Sequence, residues 1–162
     1  MAALNKVSAA QYPLVVPFEW NFDDTMENTT GNSVAMGVLT SGSNTVFDIF
    51  YPPPNSYLLS GKCTVLTAFA TSTANTVDIG DSDDTDRYTE AGAIDLQDVD
   101  GAATVIDFLG DGKLYNGSQA IRLTISNATG AATAGRAIIT LTLAVLGRAN
   151  ENLRVVTNAM VP

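Results

Sequence analysis

The chain has 162 residues, enough for one substantial core and too few for two independent domains. Hydrophobic residues make up 46% and charged residues only 15%, so Ser, Thr, Asn, Gly and Ala must cover much of the surface, and intrinsic disorder is excluded. Eight basic residues oppose seventeen acidic ones for a net charge of −9, and the basic ones are scattered with no two adjacent, which speaks against direct nucleic-acid binding and against an anionic membrane surface.

Residues 1–13 read as an N-terminal arm, 14–150 as a β domain and 151–162 as a C-terminal tail. The arm has no charged-then-apolar leader pattern, and no apolar run approaches a membrane span, so neither is expected. Over 14–22, Phe18, Trp20 and Phe22 alternate with Pro17, Glu19 and Asn21, the period of a half-buried strand. Pro13 and Pro17 lack amide donors, which disfavours a doubly paired position for the first half of that strand. The acidic stretch 23–27 leads into a polar loop. Strands are expected at 34–39 and 45–51, joined as a hairpin through the turn residues 41–44. Pro52, Pro53 and Pro54 end pairing there. The next strand spans 57–69, with Val65 and Phe69 facing inward and Gly61 a candidate bulge. A short strand follows at 76–79, and two more are expected at 95–99 and 103–109.

The last third alternates most clearly. Ile121, Leu123 and Ile125 face one way over 120–126, and 136–146 is a long apolar, β-branched run. The two are expected to pair as an antiparallel hairpin across the small-residue loop 127–135. That loop, including Thr129, Gly130, Thr133 and Gly135, permits close backbone approach, either within the domain or to another subunit. Leu153, Val155, Val156 and Met160 in the tail can tuck onto the core or dock on a neighbour. About eight short strands without a convincing helix define an all-β fold, an antiparallel β-sandwich with jelly-roll-like character.

Catalytic chemistry has little to draw on. There is no histidine, which removes His-based triads and the usual zinc sites. Cys63, the sole cysteine, lies in an apolar strand and reads as a small buried hydrophobe. The densest cluster is Asp78, Asp81, Asp83, Asp84 and Asp86, followed by Arg87 and Tyr88. Asp81, Asp83 and Asp86 are weak candidates for oxygen ligands to calcium, although the spacing departs from an EF-hand loop. The alternative is a solvated turn in which Arg87 pairs with one or two carboxylates and Tyr88 anchors the exit to the core. No other cofactor is suggested, and no enzyme activity is expected.

Two stretches carry a resemblance. One runs from Tyr57 through Leu58-Leu59-Ser60-Gly61-Lys62-Cys63 and Asn75-Thr76-Val77-Asp78-Ile79-Gly80-Asp81 to Arg87-Tyr88. The other runs from Leu114-Tyr115 through Ile121-Arg122-Leu123-Thr124-Ile125 to Gly135-Arg136. Together they resemble small virion structural proteins of tailed bacteriophages. The resemblance implies a capsid decoration (cement) protein on the outer capsid surface, bound to the major capsid protein as a homo-oligomer, a trimer or dimer. Tail, neck or fibre-associated structural proteins, and a carbohydrate- or receptor-binding β-sandwich, are the alternatives. Candidate partner contacts are Phe18, Trp20, Thr129, Gly130, Thr133, Gly135, Leu153, Val155, Val156 and Met160.

Overall fold

The computed structural model describes residues 13–37, 44–70, 75–89, 94–97, 104–127 and 131–146. They form ten strands and, among the described residues, no helix: β1 Leu14–Asn21, β2 Thr25–Glu27, β3 Ser33–Ala35, β4 Thr45–Phe50, β5 Ser56–Thr67, β6 Asn75–Gly80, β7 Ile94–Asp95, β8 Thr104–Leu109, β9 Ile121–Asn127 and β10 Arg136–Val145. Eight of these make two four-stranded antiparallel sheets, β1-β10-β5-β8 and β4-β9-β6-β7, while β2 and β3 form a separate small hairpin.

Alternation places the core between the sheets. Along β10, Ala137, Ile139, Leu141 and Leu143 are buried while the residues between them face outward. Their partners on β1 follow the same rule, so Trp20 opposite Ala137 is buried and Val15 opposite Thr142 is exposed. From the second sheet, Phe47, Val77, Ile79, Ile121, Leu123 and Ile125 join the same cluster. Burying each aliphatic side chain of this kind contributes roughly 1.5–3 kcal/mol. The sandwich expected from the sequence is therefore present.

Strand pairing differs from the expectation in three places. The strands at 121–127 and 136–145 do not form a hairpin. Each is buried on its inner face and flanked by two neighbours of its own sheet, β9 by β4 and β6, β10 by β1 and β5. Their connection crosses between layers, which needs to bridge only about 10 Å. Likewise β3 pairs with β2 rather than with β4, because the acidic stretch after β1 turns back: Asp24 accepts hydrogen bonds from the Asn21 backbone and side chain, and Thr25–Glu27 then meets Ser33–Ala35. Finally, Gly61 is not the bulge. The register of β5 against β10 slips at Leu59 and Leu66, the two leucines of that strand that face solvent. Gly61 instead faces inward beneath Phe108, where a Cβ would lie 2.1 Å from the ring.

Register gathers the C-terminal ends of β8 and β10 with the starts of β1 and β5 in one sheet, and the C-terminal ends of β4 and β6 with the start of β9 in the other, and the Lys113–Asp81 ion pair brings these two ends together at one end of the sandwich. The segments after β6 and β8 therefore meet there.

Candidate functional site

The acidic segment sits at that end. After β6 the chain turns so tightly that a Cβ on Gly80 would lie 2.2 Å from the Asp84 carbonyl oxygen. The Asp81 N–H donates to that same carbonyl at 2.8 Å, and the Asp81 carboxylate caps the loop by accepting the N–H groups of Asp83 (2.8 Å) and Asp84 (3.2 Å) on Oδ1. Its other oxygen meets two cations. Arg87 Nε lies 2.6 Å from Asp81 Oδ2 as an ion-pair contact, and Lys113 Nζ donates to it at 2.8 Å. The Asp81 side chain is wholly buried. Lys113 also bonds Asp83 at 2.7 Å, and Arg87 bonds Asp111 at 2.8 Å. Below the ions, the hydroxyls of Tyr88 and Tyr115 share a hydrogen bond, and Tyr115 also lies against Asp81 Oδ2 at 3.4 Å.

Burial alone would raise the Asp81 carboxyl, but the Lys113 hydrogen bond, the loop amide and the charges of Lys113 and Arg87 outweigh it and hold it below its ordinary value. Asp111 behaves alike: burial raises it, and the Arg87 hydrogen bond and charge bring it down. Asp83 is lowered mainly by Lys113. Burial pulls against the Lys113 ammonium, yet Asp81 and Asp83 raise it overall. Burial pushes Tyr88 up to about 12 and raises Tyr115 as well, the latter helped by the Tyr88 hydrogen bond. Each of these shifts favours the form that the group already holds at neutral pH. The arrangement ties the loop after β6, in one sheet, to the loop after β8, in the other. It is a clamp, and it offers no free base or nucleophile.

The three carboxylates proposed as calcium ligands do not converge. Asp81 and Asp83 are bridged by the Lys113 ammonium, while Asp86 shares a hydrogen bond with Asp84, which raises its carboxyl. Among the described residues, no group of three or more His, Cys, Asp or Glu could hold a metal ion. Arg87 pairs as a solvated turn would have it, but with a buried carboxylate rather than a hydrated one. Lys113 and Asp111 have no sequence signal beyond the turn-forming pair Asp111-Gly112, and Tyr115 entered only through the stretch that carries the resemblance, without a role.

Of the contact candidates, Trp20 is corrected outright: at 1% exposure, packed on Phe18 and Phe69, it cannot meet a partner. Phe18 is half-buried against the core. Gly135 is also buried, with φ +150° and the Phe69 ring so near that a Cβ would lie 2.4 Å from it, so its close approach is to its own domain. Thr133 is exposed, and its N–H donates to the Ala70 carbonyl. Thr129, Gly130, Leu153, Val155, Val156 and Met160 lie outside the described residues. Cys63 is buried in the core, and burial pushes its thiol up to about 12, away from reactivity.

No protein-family model matches the chain, and no curated protein matches it. Two solved structures share its fold. A chain of the cyanophage Pam1 capsid asymmetric unit superposes with a TM-score of 0.55 at 15% identity, covering 90% of this chain and 92% of that one. A chain from the acidic stable capsid structure of Helicobacter pylori bacteriophage KHP30 gives a TM-score of 0.50 at 11% identity, covering 82% and 87%.

Proposed function

We propose that this protein is a non-enzymatic structural component of a bacteriophage virion, and within it a decoration protein seated on the outer face of the capsid lattice. The observation that carries the reading is the end-to-end likeness to chains of two phage capsids, in which nearly the whole of each chain is matched in both directions. The fold thus corresponds to a small capsid chain of similar length rather than to one lobe of a large subunit. The strand order supports it: eight strands wound as β1-β10-β5-β8 over β4-β9-β6-β7 follow the double Greek key of a jelly roll, an architecture used in viral capsids. Acidity suits an outer position, away from packaged nucleic acid. Small symmetric oligomers on a lattice would repeat one modest contact many times.

The test is to add purified protein to shells of the corresponding phage that lack it. The reading expects cosedimentation with the shells and a higher shell melting temperature. Shells that neither bind the protein nor gain stability would contradict it.

A further inference from the structure

The two sheets have four edges, and three are blunted. Strand β1 carries Pro17, β4 has its Val46 carbonyl taken by the Thr29 N–H at 2.9 Å, and β7 is only two residues long. Strand β8 has none of these protections among the described residues. The Gly110 N–H donates to the Leu59 carbonyl, so by alternation Thr104, Ile106 and Phe108 bond β5, while Val105, Asp107 and Leu109 direct their N–H and C=O groups to the open side. Leu109 is 76% exposed. A six-residue open edge with a bare leucine is an acceptor for another strand.

The sequence following β10 has the matching pattern. Residues 147–162 lie outside the described residues, and within them Leu153 and Val155 flank Arg154. Set antiparallel on β8 with Arg154 opposite Asp107, this segment brings Leu153 opposite Phe108 and Val155 opposite Ile106, so apolar side chains extend the inner face and opposite charges meet on the outer one. The charge balance agrees: Arg148 and Arg154 outnumber Glu151 here, while residues 13–146 hold sixteen of the seventeen acidic groups. Within one chain β5 separates β10, where the described residues end at Leu146, from β8, whereas a second copy reaches the open edge from outside the sheet.

We infer that the open edge of β8 is a strand-acceptor site occupied by residues 152–157 of a second copy of this chain, which links copies by strand exchange. This does not depend on the virion reading.

Sedimentation velocity tests it on the full chain, on a version ending at residue 149, and on Asp107→Arg, Arg154→Asp and the double variant. The full chain should associate at micromolar concentration and the truncated chain should run as a monomer. Each single charge reversal should weaken association about tenfold, and the double variant should restore it. Circular dichroism checks that each variant is folded. A full chain running only as a 16.9 kDa species would overturn the inference. So would a truncated chain that associates as well as the full one, or better, the latter meaning that the tail covers its own edge.

Discussion

Lys113 and Asp81, 32 residues apart in sequence and on loops that leave different sheets, meet at 2.8 Å, and the Asp81 carboxylate between Lys113 and Arg87 is wholly buried. The pair closes one end of the sandwich, and among the described residues no strand pairing joins the two sheets.

Replacing Asp81 with Asn keeps the side chain's shape and removes its charge. It leaves Arg87 and Lys113 facing each other with only Asp111 and Asp83 as counter-ions. We expect a loss of about 3 kcal/mol, the lower end of the cost of breaking a buried ion pair, read as a shift in the urea midpoint. A loss below about 0.5 kcal/mol would mean that the clamp does not stabilise the fold.

The same network sets the pH dependence. Asp81, Asp83 and Asp111 have folded values below the ordinary one, so their stabilisation is complete above about pH 4 and is lost as pH falls through the depressed values. On the alkaline side Tyr88, Tyr115 and Cys63 are raised. The unfolded chain releases these protons first, so stability declines from about pH 9–10 upward as folded values near 12 are approached for Tyr88 and Cys63. Denaturant midpoints followed by the fluorescence of Trp20 should trace a plateau with both shoulders. Cys63 should resist thiol reagents until the protein unfolds.

Calcium should not alter the melting temperature, nor should a chelator, because the Lys113 ammonium already bridges Asp81 and Asp83. A rise of several degrees with millimolar calcium would show that the ion displaces Lys113.

Gly61→Ala probes the first sheet. Its new methyl meets the Phe108 ring, and overpacking of this kind costs about 1–3 kcal/mol. Phe108→Leu in the same chain should recover part of that loss, giving a coupling energy above about 0.5 kcal/mol in a double-mutant cycle. Strict additivity would show that the two positions do not touch.

Much of this fold is written in local patterns, and its failures are physical. Alternation in β1, β9 and β10 marks one buried face per strand, and those faces are buried as expected. A period of two says nothing about which strands lie side by side, which is why β9 and β10 were expected to pair although they lie in opposite layers. Aromatic alternation is equally silent on whether Trp20 faces a core or a partner. In the candidate site, Asp81 and Arg87 are near neighbours whose pairing was legible. Lys113 and Tyr115 reach them only through the order of the strands. The slips at Leu59 and Leu66 are set by the register against β10, which no pattern within β5 alone displays.

The most direct test of the account is a high-resolution map of the intact phage particle. It should place this β-sandwich on the outer face of the shell, in symmetry-related copies over the whole lattice and in contact with the major capsid protein. Density for the chain confined to a ring at one vertex or to the tail, or its absence from the particle, would contradict the account.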